Sequence, residues 1–167
     1  MRILRRMLAG LAMMVLPFGS ELLAGSIGEG LSLKDAISLA ADDPVPIDWR
    51  TLAALDLETG RAPASLAALD GKRVVIAAFI VPLEDDMQQA DEFLLVPYFG
   101  ACVHTPPPPP NQMVYVKMRG RKTIKIGWWD PVMFEGVLHL KQVESPYGAS
   151  YFEMEGLESK AYTPPSK

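Results

Sequence analysis

Hydrophobic and polar positions alternate most regularly toward the C-terminus. From Phe134 to Val143, the residues Phe134, Gly136, Leu138 and Leu140 fall on one face, and His139, Lys141 and Gln142 are the polar interruptions. From Tyr151 to Leu157, Phe152 and Met154 alternate with Glu153 and Glu155. A period of two predicts strands, because successive side chains in extended chain point to opposite faces. Ser145-Pro146-Tyr147-Gly148 supplies the turn chemistry to join the two as a hairpin. Further upstream, Arg73 to Val81 is a run of Val, Ile, Ala and Phe stopped by Pro82, the pattern of a strand buried on both faces. Phe93 to Val96, Met113 to Met118 and Thr123 to Ile126 are further short strands, with Arg119-Gly120-Arg121 as a tight turn between the last two.

Before Lys72 the period is helical. Ser32 reads as an N-cap with Asp35 three residues on, and Leu33, Ala36, Ile37 and Ala40 share one face, which predicts a short helix over 33–41 that ends at Asp42-Asp43-Pro44. Asp48 caps a second, carrying Trp49, Leu52, Leu55 and Leu57 and closed by Gly60; Ser65 opens a third that ends at Gly71. Such short helices cannot build a core of their own, so 32–70 is expected to pack as an arm on the domain that follows. Five or six short strands with little helix predict a mainly β chain: a small OB-like barrel with a short helical N-terminal arm. A small open sandwich is the alternative.

Residues 1–24 have a different composition. Arg2, Arg5 and Arg6 precede an apolar stretch from Met7 to Phe18, and Ala24 and Gly25 follow at the place of cleavage, the layout of a secretory signal peptide. The alternative is an uncleaved anchor, because Leu22-Leu23-Ala24 is a poor small-x-small signal, but the apolar stretch is shorter than the roughly 20 residues a bilayer requires. The expected organisation is a signal peptide over 1–24, a leader and arm over 25–70, the barrel over 71–162 and a disordered tail over 163–167. Residues 1–24 hold three Arg against one Glu, so removing them takes the formal charge from -4 to -6. An acidic surface argues against nucleic acid or anionic lipid as the main partner, and the membrane would be met only through the signal segment. Export to an oxidising compartment, the periplasm, would also make the lone Cys102 informative: with no second cysteine it is a buried small hydrophobe, a metal or cofactor ligand, or an intermolecular partner.

The chemistry concentrates in residues 97–112, PYFGACVHTPPPPPNQ. Pro106, Pro107, Pro108, Pro109 and Pro110 hold φ near -65° and donate no backbone hydrogen bond, which predicts a rigid polyproline rod along an edge or a barrel mouth. If the extended geometry reaches back through Val103, then Cys102 and His104 share a face and could meet one metal ion, zinc or copper by their chemistry. Two ligands do not complete a site; Asp85, Asp86, Asp91, Glu92 and His139 are the further donors available. The competing readings are a packed Cys102 with His104 bonded to a carbonyl, or an activated Cys–His nucleophile. No oxyanion-hole loop or orienting Asp/Asn motif accompanies the nucleophile reading, so an enzyme is disfavoured. Asn111 and Gln112 fix either a ligand or the rod, and Tyr98 and Phe99, with Trp128-Trp129, could line a pocket.

The stretch FGACVHTPPPPPNQ resembles a bacterial envelope family catalogued as domain of unknown function 3299, with a looser likeness from about Val74, through VPLE at 81–84 and EFLLVPYFG at 92–100, to about Val116. Gly100, Cys102, His104, Pro106 to Pro110, Asn111 and Gln112 match its signature position by position. The resemblance implies an exported, periplasmic protein without an assigned enzymatic activity. Relatives tend to be encoded near transporter components, some linked to zinc supply. The expectation is therefore a periplasmic binding protein, a zinc or copper accessory to a transporter component through Cys102 and His104. The alternative is an interaction module whose polyproline ridge, with Tyr98, Phe99, Asn111 and Gln112, docks another envelope protein.

Overall fold

The computed structural model describes residues 43–84, 87–101, 105–127 and 129–164. Its elements in chain order are β1 (Val45–Pro46), α1 (Trp49–Ala53), α2 (Ala64–Ala67), β2 (Arg73–Pro82), β3 (Gln89–Ala90), β4 (Glu92–Val96), β5 (Val114–Met118), β6 (Ile124–Lys125), β7 (Val132–His139), β8 (Val143–Ser145), β9 (Gly148–Ser150) and β10 (Phe152–Ala161). Single 3-10 turns lie at Pro110–Gln112 and Arg119–Arg121. The predicted helix at 33–41 and the signal segment fall outside the described residues. Among the described residues no helix is long and apolar enough to cross a membrane.

Strands β2, β4, β5, β10 and β7 are neighbours in that order, and β7 returns to β2, so the sheet closes. All of these pairings are antiparallel except β5 with β10. Counted along the chain, the five barrel strands run 1-2-3-5-4-1, which is the connectivity of an OB barrel. The β2–β7 pairing excludes the open sandwich.

Alternation decides which side chains fill the barrel. Val74, Ile76, Ala78 and Ile80 of β2 point inward to meet Phe93 and Leu95, Val114, Val116 and Met118, Phe134 and Leu138, and Phe152 and Met154. Rings Phe93 and Phe134 meet edge to face at 5.5 Å. Two inward positions are glycine because the barrel has no room for more. A Cβ on Gly156 would stand 2.5 Å from Met118 Sδ, and one on Gly136 2.5 Å from Met154 Cγ. The outward faces of β7 and β10 are charged: Glu153 pairs with Lys141 at 2.6 Å, Glu155 with Arg119 at 2.6 Å, and Glu135 with Arg73.

Several boundaries and partners differ from the sequence expectation. Strand β2 is not buried on both faces throughout: its first residues alternate between buried and half-buried, and only the end, Ile80 to Pro82, is buried continuously. The strand predicted over 123–126 does not form a hairpin with β5; β6 pairs with β3 instead, across the end of the barrel. Ser145-Pro146-Tyr147-Gly148 joins the small β8–β9 hairpin, which is inserted between β7 and β10. Asp48 caps α1 as expected, accepting from Thr51 N at 2.8 Å, but the helix ends at Ala53, well before Gly60. The cap of α2 is Pro63, with no side-chain hydrogen bond.

The arm contributes more than packing. Strand β4 pairs only with the last four residues of β2, which leaves the edge of Val74 to Ala77 open. Strand β1 pairs in parallel with Val74 and Val75, Ile47 N donates to Val75 O at 3.0 Å, and the Trp49 indole N–H donates to Ala77 O at 2.8 Å. Leu52, Leu55 and Leu66 then close the barrel's end from inside the main core.

Candidate functional site

The outward face of β2, β4 and β5 is apolar. Val81, Leu94, Val96, Met113 and Tyr115 form a second buried cluster with Ala101, and Phe79, Leu83, Val143 and Tyr147 pack against it. The cover comes from Ala101 and Met113 of the β4–β5 connection and from Val143 and Tyr147 of the β8–β9 hairpin. Ala101 is fully buried on this face. The Tyr115 hydroxyl donates to Glu92 Oε2 at 2.7 Å, and burial first, then that acidic partner, push its pKa up to about 12.

The connection is built from local devices. Gly100 takes φ +77°, a value open to glycine at little cost. Its carbonyl accepts from both Thr105 N at 3.1 Å and Thr105 Oγ1 at 3.2 Å, which holds Gly100 and Thr105 together. The prolines follow. Pro108 is buried, Pro106, Pro107 and Pro109 are exposed, and Pro110 is half-buried. Pro109 has φ -57° and ψ 152°, the polyproline conformation. The rod stops there, because Pro110 already belongs to the 3-10 turn that Gln112 N closes on Pro109 O at 2.7 Å.

Asn111 anchors the far end. It is buried, and its Nδ2 donates to Ala53 O at 3.1 Å and to Leu55 O at 2.9 Å, at the end of α1. Pro110 O accepts from Tyr151 N at 3.1 Å, and Ser150 Oγ donates to Met113 O. The segment carrying the exposed proline rings is therefore held at both ends, to Gly100 on one side and to the arm and the β9–β10 junction on the other.

An aromatic stack begins one residue before Gly100, the residue to which the near end of the ridge is bonded through Thr105. Phe99 meets Phe79 edge-on at 6.2 Å and Trp129 at 4.8 Å with the planes tilted 32°. The three rings come from β2, the β4–β5 connection and the β5–β7 connection, and they bridge the outer surface of β2. Trp129 is 67% exposed and Phe99 and Tyr98 are each 43% exposed. Such a cluster of exposed rings marks a binding surface more often than a lone exposed aromatic does.

Of the residues singled out from sequence, Tyr98 and Phe99 are half-exposed on one side of the Gly100–Thr105 contact, Pro106, Pro107 and Pro109 are exposed on the other, and Asn111 is the buried anchor of the far end. Cys102, His104, Asp85, Asp86 and Trp128 lie outside the described residues. The remaining nominated metal donors are committed elsewhere: Asp91 and Glu92 hold Arg121 at 2.7 and 2.8 Å, and His139 faces Asp70 at 3.9 Å. Among the described residues no group of three or more His, Cys, Asp or Glu could hold a metal. Sequence reasoning missed Phe79 as a member of the stack. Its outward parity in β2 was legible, but not which loops would reach it.

The family described as protein of unknown function (DUF3299) matches residues 54–160. The chain belongs to this family. The matched span runs from the end of α1 through the proline connection to the end of β10, so it contains the whole barrel and the ridge. A DUF3299 family protein from Pseudomonas aeruginosa PAO1, known from a crystal structure, is similar over 75% of this chain and 100% of its own, with 28% identity and a TM-score of 0.57. No curated protein matches the chain.

Proposed function

We propose that this DUF3299 protein is an exported, non-catalytic binding protein whose polyproline ridge docks another protein of the bacterial envelope. The observation that carries the reading is the exposure of Pro106, Pro107 and Pro109 on a segment fixed at both ends. Prolines with φ fixed by their rings, on a segment fastened at both ends and with Pro109 in the polyproline conformation, lose little entropy on binding and present their rings to an aromatic-lined groove. The test compares the chain carrying Pro106→Ala, Pro107→Ala and Pro109→Ala with the unaltered chain in capture from an envelope extract, with circular dichroism to verify the fold. Loss of a specifically captured protein is expected; unchanged capture overturns the reading.

A second reading keeps Cys102 and His104 as ligands of zinc or copper in service of a transporter component. It is favoured by the double hydrogen bond from Thr105 to Gly100, which brings together the two ends of the segment that carries both residues. Titration of the purified protein with zinc and copper(I) tests it. Binding tighter than about micromolar that is lost in Cys102→Ser and His104→Ala is expected; no such binding, or binding indifferent to both changes, removes it.

A further inference from the structure

A polyproline ridge requires an aromatic-lined surface to receive it, and this chain exposes one itself. We propose that the partner of the ridge is a second copy of this chain, with Pro106, Pro107 and Pro109 of each copy stacked on Phe99 and Trp129 of the other. The inference rests on the docking role of the ridge and names its partner.

The receiving surface is preformed. The Trp129 ring packs on Phe99, which is itself braced against Phe79 of β2, and Trp129 stays 67% exposed. A proline ring packs on such a face as it does in other polyproline-binding grooves. The ridge does not cover its own platform, since Trp129 is 67% exposed with the ridge in place. It cannot swing across to do so, because the Asn111 bonds to Ala53 and Leu55 and the Tyr151 bond to Pro110 fasten its far end toward the arm.

Position and charge favour a twofold contact. Thr105 is bonded to Gly100, so Pro106 and Phe99 each lie one residue from the same hydrogen-bonded pair, and the exposed ridge and the exposed platform start from that one point of the chain. Adjoining complementary patches are what an isologous interface needs, since a twofold axis between them makes the contact twice. Phe93 to Val116 contains no Asp, Glu, Lys or Arg. Two copies of this acidic chain can therefore meet here with little like-charge repulsion from that segment, and Asp130 beside Trp129 is the nearest acidic residue along the β5–β7 connection.

Sedimentation equilibrium of the exported chain over a concentration series tests the proposal. A reversible dimer is expected, and both Trp129→Ala and the triple proline-to-alanine variant should weaken it by about tenfold or more while leaving the thermal midpoint unchanged in solutions dilute enough to be monomeric. An equimolar mixture of the two variants should associate more tightly than either alone, because one of the two ridge-on-platform contacts is restored in the mixed dimer. A chain that stays monomeric to about 1 mM, or a dimer indifferent to both variants, overturns the inference. If the chain is monomeric but the proline variant still loses an envelope partner, the docking role stands and the second copy falls; if capture is also unaffected, both fall.

Discussion

Replacing Asn111 probes how the ridge is held. The side-chain amide donates two hydrogen bonds to the carbonyls of Ala53 and Leu55 in a site only 7% exposed. Each bond contributes about 0.5–1.5 kcal/mol, and the deserted acceptors add a desolvation cost, so Asn111→Ala should lower the urea-unfolding free energy by about 2–3 kcal/mol. Asn111→Asp is the sharper test. An ionised carboxylate has the same shape but no donor, and it faces two carbonyl oxygens, so at neutral pH this change should cost at least about 1 kcal/mol more than alanine. Protonation restores one donor, and burial against two carbonyls raises the folded pKa above the unfolded value near 3.9. A raised folded pKa means the deficit is small below about pH 4 and grows as pH climbs through the folded value. Denaturation at pH 4 and pH 7 measures this. An alanine cost below about 0.5 kcal/mol, or an aspartate deficit equal at the two pH values, refutes the anchoring role.

Gly156→Ala should destabilise the barrel by about 1–3 kcal/mol, since its Cβ would crowd Met118 Sδ at 2.5 Å and Val116 Cγ1 at 2.9 Å; thermal unfolding reads this, and a neutral result would mean the barrel relaxes freely. The Arg119 hydrogen bonds hold Glu155 below its ordinary pKa of 4.5, so this pair stabilises the fold above that pH and the contribution disappears as pH falls through the lowered folded value. At this exposure it amounts to less than about 1 kcal/mol, and Glu155→Gln should flatten the stability profile on the acid side by that much. Trp49→Phe removes the indole donor to Ala77 O and should cost about 1 kcal/mol. Because Trp49 and the Asn111 acceptors belong to the same arm, a double-mutant cycle of Trp49→Phe with Asn111→Ala should show coupling above about 0.5 kcal/mol; strict additivity would mean the arm is not one mechanical unit.

What the sequence made legible was whatever depends on neighbours in the chain. Phe152 and Met154 against Glu153 and Glu155 revealed both the strand and its inward face, and Asp48 revealed a cap. What stayed hidden depends on partners far along the chain. Val45–Pro46 has no period to detect, being two residues long, yet it becomes a strand because β4 stops short of the open β2 edge. Thr123 to Ile126 read as a strand beside β5, but barrel closure carries it to β3. Asn111 followed five prolines and read as turn chemistry, while its hydrogen bonds reach back 58 and 56 residues. The aromatic surface was half legible: Tyr98 and Phe99 stood out, whereas Phe79 joined them only through the register that sets it opposite Val96.

The short pairing of β2 with β4 links barrel geometry to the ridge. Because β4 covers only the end of β2, the arm is drawn onto the remaining edge, and α1 comes to rest with the carbonyls of Ala53 and Leu55 turned toward the proline connection. Asn111 bonds to those carbonyls. The same short pairing ends β4 at Val96, opposite Phe79, so the chain leaves the sheet there and Phe99 lands on the Phe79 ring. A longer β4 would occupy the edge the arm uses and carry Phe99 away from Phe79. One truncation in the strand pairing thus sets the anchor at one end of the proline ridge and the aromatic platform at the other. Both can be rigid because each is fastened to the barrel wall rather than to a free loop.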